Sequence, residues 1–183
     1  MYLERNVVAP VFKLKDVYGR VIDLEEYKDK RVLIAFFRHA GCPFCNIRVH
    51  NLTKIYEDLK PYEFEMIFFF ESPERIILRS TFHQEVSPVP IISDPEKKWY
   101  NAYGLESSVI KSAISHLTTF VQTAFKARAL GVPMHAMAEG ESIKTMPAEF
   151  LLDKGLVVKQ LLYSQRLNER MDVKEIIKFA KGE

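Results

Sequence analysis

The chain has 183 residues, of which 48% are hydrophobic and 27% are charged, with 26 Lys and Arg against 24 Asp and Glu. A chain of this length and composition forms one globular domain with its own core, which excludes a disordered or collagen-like protein. Its formal net charge of +2 is too small to indicate a nucleic-acid partner. No apolar run approaches the roughly 18 residues that a membrane helix needs, so we expect a soluble protein.

The first half of the chain predicts a β-hairpin followed by a parallel strand–helix–strand unit. Residues 9–14 and 21–24 are extended segments separated by a turn, which predicts the hairpin. Residues 31–37 are continuously apolar after the first position, as in a central strand covered by helices on both faces. Apolar residues recur at helical spacing over residues 43–59, and residues 64–70 form the next buried strand.

The second half completes an α/β sheet. A capped helix begins at Pro73, a short strand is predicted over residues 91–94, and a brief helix over residues 95–103. Residues 149–158 read as an antiparallel hairpin, and Asp172 caps the last helix. Parallel strands, an antiparallel hairpin and a terminal helix are the order of a thioredoxin-like fold, with a central mixed β-sheet flanked by helices.

One segment is additional to that minimal fold. It is a predicted helical insertion at about residues 107–145 within the single domain 1–183. Its first half has apolar residues at amphipathic-helix spacing, and residues 131–145 read as a loop. The apolar stripe must be buried against the parent domain, a second subunit or a substrate in a cleft. The residues of the stripe are Ile110, Ala113, Ile114, Leu117, Val121, Ala124 and Phe125.

Both cysteines lie in the motif Cys42-Pro43-Phe44-Cys45, directly after the predicted central strand and at the start of the following helix. Open α/β sheets place their ligand crevice at such a junction. With Cys42 as the N-cap and Pro43 at the first helical position, the N–H groups of Phe44 and Cys45 point at the Cys42 sulfur. These donors and the helix dipole favour the thiolate, so we predict that Cys42 is the nucleophile and Cys45 the resolving thiol.

Two other interpretations of the motif stay open. The cysteines could form half of a zinc site or be an inert buried pair, although the chain has no second CxxC and no H-x₃₋₅-H motif. Arg38 and His39, just before the motif, either stabilise the thiolate or are solvated loop residues. We expect Arg48 and His50, within the helix that follows, to lie on its surface. The candidate zinc ligands outside the motif are His39, His50, His83, His116 and His135.

The segment Thr145-Met146-Pro147 precedes an apolar strand. A proline cannot donate to a strand ladder and is therefore placed at a strand start. A cis bond before Pro147 would aim the preceding backbone groups into the crevice beside the thiols, whereas a trans bond would make it an ordinary strand-entry proline.

Taken together, the chain resembles the peroxiredoxin-like (alkyl hydroperoxide reductase/thiol-specific antioxidant, AhpC/TSA) family of the thioredoxin superfamily, in its divergent CxxC-bearing branch. The resemblance implies a thioredoxin fold, a cis Pro147 that faces the thiols, and an antioxidant or thiol-disulfide function. We expect neither a cofactor nor a metal. The resemblance also implies an external dithiol reductant. The segments that carry it are residues 9–16, 32–45, 93–95, 103–105 and 147–155.

The chain departs from the usual pattern of that family. Typical members place Pro seven residues and Thr or Ser three residues before the reactive cysteine, where this chain has Ala35 and His39. The spacing around the cysteines is also similar to that of thioredoxin, whose buried acid would map to Ala35. Glu71, at the end of the neighbouring strand, either substitutes for that acid as proton acceptor or is a plain strand-end carboxylate.

We therefore predict a thiol-disulfide oxidoreductase that reduces peroxides or disulfides. A protein-disulfide reductase without peroxidase activity is one alternative, and a non-catalytic module that dimerises through residues 110–125 is another. Predicted partners are the substrate, a thioredoxin-like dithiol reductant and a second copy of the chain in a homodimer, without nucleic acid or membrane. The N-terminal residues show no secretory signal, which favours the cytoplasm.

Overall fold

A computed structural model describes residues 2–105, 107–137 and 141–183 of the chain. The predicted N-terminal hairpin is present as a separate two-stranded antiparallel sheet of β1 (Lys13–Lys15) and β2 (Val21–Asp23). A five-stranded mixed sheet forms the centre of the molecule. Its strands are β3 (Arg31–Phe36), β4 (Phe64–Phe70), β5 (Ile91–Ser93), β6 (Ala148–Asp153) and β7 (Val157–Tyr163).

The predicted central strand, β3, lies in the middle of the sheet order β5-β4-β3-β6-β7. It pairs parallel with β4, where Ile34 faces Ile67, and antiparallel with β6, where Ile34 faces Phe150. Five of its six residues are buried because helices or loops cover both faces of the sheet, which explains the continuous apolar run. The fold prediction of a mixed thioredoxin-like sheet is confirmed.

Alternate residues of β3 belong to two cores, one on each face of the sheet. Leu33 and Ala35 pack on the side of the cysteines, whereas Val32, Ile34 and Phe36 pack on the opposite side. In the second core the Phe36 ring stacks on Phe69 with centroids 4.6 Å apart. Because these cores hold β3 from both faces, the end of the strand is a rigid base for the loop that follows.

Six α-helices lie in the described part of the chain. They are α1 (Pro43–Leu59), α2 (Glu74–Ile77), α3 (Thr81–Gln84), α4 (Lys98–Ala102), α5 (Val109–Ala129) and α6 (Val173–Lys181). The helix expected from Pro73 is only one turn long. The helix expected over residues 95–103 begins later, because Lys97 takes a left-handed conformation with φ 59° and the Asp94 carboxylate accepts from the amides of Lys98 and Trp99. The cap predicted at Asp172 is present.

The insertion contains the predicted amphipathic helix, α5, but its apolar stripe does not pack on the parent domain. Leu117 is 90% exposed, Ile110 72% and Phe125 71%. The opposite face of α5 packs instead, with Ser112 and Ser115 buried. No helix in the described part of the chain is long and apolar enough to cross a bilayer.

The cis bond expected at Pro147 is wrong. Among the described residues the structure has a cis bond at Ser87–Pro88, and the bond before Pro147 is trans. The reason lies in the insertion, since the Ser108 amide donates to the Lys144 carbonyl and Ser107 forms a bridge with Thr145. This pairing holds the backbone extended as it enters β6, and an extended entry accommodates the lower-energy trans bond.

Candidate active site

The cysteine pair lies where α1 begins, after the loop that leaves β3. Cys42 is the N-cap of α1 and Pro43 its first residue, as predicted. Both cysteines are free thiols, with Cys42 only 1% exposed and Cys45 fully buried. The helix therefore starts at the reactive pair, with its positive end beside the two sulfurs.

Arg38 contacts both sulfurs. Its Nη1 lies 3.7 Å from Cys42 Sγ, and its backbone N–H donates to Cys45 Sγ at 3.4 Å. The side chain is fully buried, and Nη2 donates to the Ile143 carbonyl at 2.8 Å. A guanidinium stays charged when buried, so Arg38 supplies a fixed positive charge beside the thiols.

The surroundings of Cys42 favour its thiolate. Burial by itself raises the pKa of Cys42, but a hydrogen bond with the Cys45 thiol, the charge of Arg38, the Cys45 amide and the charge of Arg170 lower it from 9.0 to about 6. Cys42 makes no side-chain cap hydrogen bond to α1. The predicted capping amides are therefore secondary, because the neighbouring thiol and Arg38 contribute more.

Cys45 has the opposite character. Burial, the hydrogen bond to Cys42 and the negative charge of Cys42 all raise the pKa of Cys45 well above 9.0. At neutral pH the pair therefore holds one proton, located on Cys45, and one negative charge, located on Cys42. This asymmetry is the arrangement expected for one attacking and one resolving thiol.

A cavity of about 580 Å³ opens in front of Cys42. Its walls come from the loop before α1, from α5 and from the loop that follows α5, and they are mostly apolar. Cys42 lies at its wall, and Cys45 is not among the described lining residues. A small molecule in this cavity can therefore reach Cys42. The described lining residues are Arg38, His39, Gly41, Cys42, Pro43, Phe120, Ala124, Met134, His135, Ala136, Met137 and Ile143.

The loop after α5 packs against the turn that contains Gly41 and Cys42, through contacts that the sequence did not predict. A β-carbon at Gly41 would lie 2.5 Å from the His135 carbonyl oxygen, so this close approach requires glycine. Asn46, fully buried on α1, donates to the carbonyls of Ala40 and Pro133, and its Oδ1 lies 3.1 Å from His83 Nε2. These contacts align the cavity wall with the start of α1.

Glu71, at the end of β4, anchors the segment that leads to β6. Its carboxylate accepts from the Ser142 amide at 2.9 Å, from the Thr145 hydroxyl at 2.5 Å and from Lys97 Nζ at 2.9 Å. With both oxygens occupied, Glu71 holds residues 142–145 in place, and its role as proton acceptor stays a prediction. Through Ile143, which follows Ser142, this anchor also positions Arg38.

The remaining predicted site residues differ in where they lie and in which groups they contact. Met146 is buried in the same core cluster as Cys42 and Cys45. Pro147 is buried, and its carbonyl accepts from the Ser164 amide at 3.0 Å. Phe44 is 4% exposed and lines a separate cleft, whereas His39 lies 3.7 Å from Glu141 Oε2 and lines the cavity.

Arg48 was expected on the helix surface, and this expectation is wrong. It is 5% exposed and donates to both oxygens of buried Glu149 at 2.8 and 2.7 Å. Arg170 lies 3.7 Å from the same carboxylate. The sequence carried no local signal for this cluster. Arg48 is about a hundred residues before Glu149 and Arg170 about twenty residues after it, so the three meet only in the fold.

No group of three or more His, Cys, Asp or Glu side chains that could hold a metal ion occurs among the described residues. The side chain of His116, one of the candidate zinc ligands, lies outside the described part of the structure.

Sequence comparison gives a family match over most of the chain. The model of the AhpC/TSA family matches residues 6–160. Two Mycobacterium tuberculosis proteins named "Putative peroxiredoxin", from different strains, are 26% identical to the chain over 97 residues. That match covers 52% of this chain and 60% of the length of each relative.

Solved structures support the fold. The peroxidoxin BcpB of Mycobacterium tuberculosis superimposes with a TM-score of 0.68 at 12% identity, covering 99% of this chain and 98% of its own. A thiol peroxidase from Chromobacterium violaceum gives 0.65 at 15% identity, with coverage of 100% and 88%. At such low identity these likenesses concern the architecture.

Proposed function

The chain belongs to the AhpC/TSA family, and from this premise we propose that it is a thiol-dependent oxidoreductase that reduces hydroperoxides through Cys42 and Cys45. One observation carries the proposal. The Cys42 thiol, with its pKa lowered to about 6, is at the wall of a cavity of about 580 Å³. A buried thiolate in a cavity of small-molecule size suits a small electrophile.

The proposed reaction has three steps. The Cys42 thiolate attacks the terminal peroxide oxygen, the O–O bond breaks, and an alcohol or water leaves after taking up a proton, which gives a sulfenic acid on Cys42. The Cys45 sulfur then attacks the Cys42 sulfur, so that a disulfide forms and water leaves. An external dithiol reduces the disulfide by thiol–disulfide exchange and is itself oxidised.

The environment of Cys45 suits the second step. Part of the increase in the Cys45 pKa comes from the negative charge of Cys42, which disappears when Cys42 becomes a neutral sulfenic acid. The Cys45 thiol thus becomes more acidic once there is an intermediate to resolve. Before that event it stays protonated and does not compete for the peroxide.

A hydroperoxide fits the site better than a protein disulfide. Cys42 is 1% exposed, so a folded protein reaches its sulfur only after the cavity wall moves, whereas a small hydroperoxide enters the cavity as it stands. The protein reductant of the third step requires the same movement. A polypeptide substrate would also need free backbone groups near the thiols to pair with. The backbone of Lys144 and Thr145 is already paired with Ser107 and Ser108.

The proposed cycle requires a dithiol reductant of the thioredoxin type and a compartment that keeps such a reductant reduced. The cytoplasm meets this requirement. Both cysteines are free thiols in the structure, the state in which the cycle begins.

We also propose a homodimer formed through the exposed stripe of α5. In an antiparallel pair of α5 helices centred on Leu117, Ile110 lies opposite Ala124 of the second copy, and Ala113 lies opposite Val121. Large side chains thus meet small ones on both sides of a central Leu117–Leu117 contact, and the three-and-four spacing of the stripe is that of a coiled-coil seam. The dimer would cover apolar side chains that the monomer leaves in water.

The test mixes reduced protein with hydrogen peroxide and, in a parallel reaction, with a disulfide-bonded protein, and follows intact mass. We expect wild type to lose two hydrogens in peroxide as the Cys42–Cys45 disulfide forms. C45S should gain one oxygen, in a form that a sulfenic-acid reagent traps, and C42S should not react. Faster oxidation by the protein disulfide than by peroxide would favour the disulfide-reductase alternative, and equal behaviour of the two variants would overturn the assignment of roles.

A further inference from the structure

A second cleft, separate from the cavity at Cys42, lies between α1, α5 and residues 168–170. It has a volume of about 410 Å³ and shares none of the described lining residues with the cysteine cavity. A volume of this size suits a small metabolite. Its described lining residues are Phe44, Ile47, Arg48, Asn51, Thr119, Gln122, Thr123, Lys126, Asn168 and Arg170.

The cleft is strongly cationic. Arg48, Lys126 and Arg170 line it, and the described lining includes no acidic side chain. The Glu149 carboxylate, which is not among the described lining residues, forms a bidentate ion pair with Arg48. It offsets one of the three positive charges. About two positive charges therefore remain without a compensating anion at the cleft.

Glu149 compensates the charge of Arg170 at the cleft only in part. The Arg170 side chain is 9% exposed, and its Nε lies 3.7 Å from Glu149 Oε1, beyond hydrogen-bond distance. Its Nη1 donates to the Glu169 carbonyl at 2.7 Å, and its buried Nη2 has no hydrogen-bond partner among the described residues. An anion in the cleft therefore meets a guanidinium whose charge is offset only in part.

We propose that this cleft binds a small organic dianion, either a phosphate monoester or a dicarboxylate. Two negative charges match the two uncompensated positive charges, and guanidinium groups bind the oxygens of phosphate and carboxylate well. The amide side chains of Asn51 and Gln122 and the hydroxyl groups of Thr119 and Thr123 line the same cleft. They suit the polar, uncharged part of such a molecule.

Occupancy of this cleft would act on the cysteines. The charge of Arg170 contributes to stabilising the Cys42 thiolate, so an anion bound beside Arg170 offsets part of that contribution. By linkage, the protein without a thiolate binds the dianion more tightly than the protein with one. The cleft thereby makes the reactivity of Cys42 sensitive to the concentration of a dianion.

The binding test titrates reduced wild-type protein with inorganic phosphate and, separately, with succinate, against sodium chloride at equal ionic strength. We expect phosphate, succinate or both to raise the melting temperature more than chloride does, and calorimetry to give a saturable isotherm. The anion with the lower dissociation constant identifies the class. Equal effects of all three salts would overturn the proposal.

Variants then locate the site. R170Q should abolish the response, and K126Q, at an exposed position on α5, should weaken binding about tenfold. K159Q, at an exposed position on β7, is the matched control and should bind as wild type does. If R170Q does not fold, K126Q still decides the question, since equal affinities for K126Q and K159Q would refute the site.

The coupling to Cys42 has its own readout, the rate of alkylation by iodoacetamide at a pH near 6. The bound dianion should slow alkylation about two- to tenfold in wild type and much less in K126Q at the same anion concentration. This measurement needs no peroxide, so it can succeed even if the proposed peroxidase activity fails. Saturable binding without any change in alkylation rate would overturn the coupling.

Discussion

Among the charged groups near Cys42, Arg38 affects the reactivity of its thiol most directly. Its guanidinium lies 3.7 Å from Cys42 Sγ and is held there by the Ile143 carbonyl. Because Arg38 is fully buried, its charge is poorly screened by water and acts strongly on the neighbouring sulfur. Arg38 lies in the loop that begins immediately after β3 and leads to Cys42.

Replacing Arg38 should shift the pH dependence of Cys42 alkylation upward. The reactive species is the thiolate, whose fraction rises with pH, so wild type should reach half of its maximal rate near pH 6. In R38Q the pKa of Cys42 should rise by about one unit or more, which slows alkylation at pH 6 about fivefold or more. R38K, which keeps the charge, should recover part of the rate.

The exposed R75Q variant on α2 is the control for a general loss of positive charge and should follow the wild-type profile. Coincident pH profiles for R38Q and wild type would show that Arg38 does not set the Cys42 pKa.

At the scale of elements, α5 is the helix with two unlike faces. One face packs on α1, whereas the other exposes large apolar side chains along its length, and Phe120 and Ala124 line the cysteine cavity. A contiguous exposed apolar stripe of this kind is typical of an interaction surface. The same helix would thus form one wall of the active site and, in the proposed dimer, the subunit interface.

The variant L117E tests that interface. Leu117 is 90% exposed in the monomer, so a charge there should leave folding unchanged. In the dimer it would place two like charges in an apolar seam, and we expect the dissociation constant to rise on the order of a hundredfold. Sedimentation velocity should show wild type as a dimer and L117E as a monomer.

V21E carries the same charge on the exposed face of β2 and should remain dimeric. A monomeric wild type would contradict the proposed homodimer, and a dimeric L117E would move the interface elsewhere.

Across the whole molecule, Glu149 links parts of the chain that are distant in sequence. From β6 it binds Arg48 on α1, lies near Arg170 and accepts from the Met171 amide at 3.0 Å. The cluster therefore ties the cysteine helix to the sheet and to the segment before α6. Two buried guanidinium groups depend on this one carboxylate for their compensation.

The variant E149Q should destabilise the protein by about 3 kcal/mol, because it leaves two buried cations without a counter-charge. Urea unfolding monitored by circular dichroism measures the change. E175Q removes an exposed carboxylate that pairs with Lys178, and its effect should stay below about 0.5 kcal/mol. Similar unfolding midpoints for the two variants would show that the buried cluster contributes little.

Local sequence patterns were sufficient to predict most of the elements and the position of the reactive pair. The apolar run of β3, the helical spacing of α1 and the N-cap position of Cys42 involve residues that are neighbours in the chain. Periodicity and helix capping are short-range effects, and the structure agrees with these predictions. The order of the elements was then enough to predict a thioredoxin-like sheet.

Tertiary structure decided the features that depend on residues far apart in the chain. The contact of Arg38 with Ile143 and the exposure of the Leu117 face follow from how the insertion packs. The burial of Arg48 against Glu149 follows from the contact of α1 with β6. The sequence by itself determined where a thiol could be activated, because that depends on a local strand-to-helix junction. The packing determined which charges activate it and what can reach it, because charge and access depend on the whole surrounding fold.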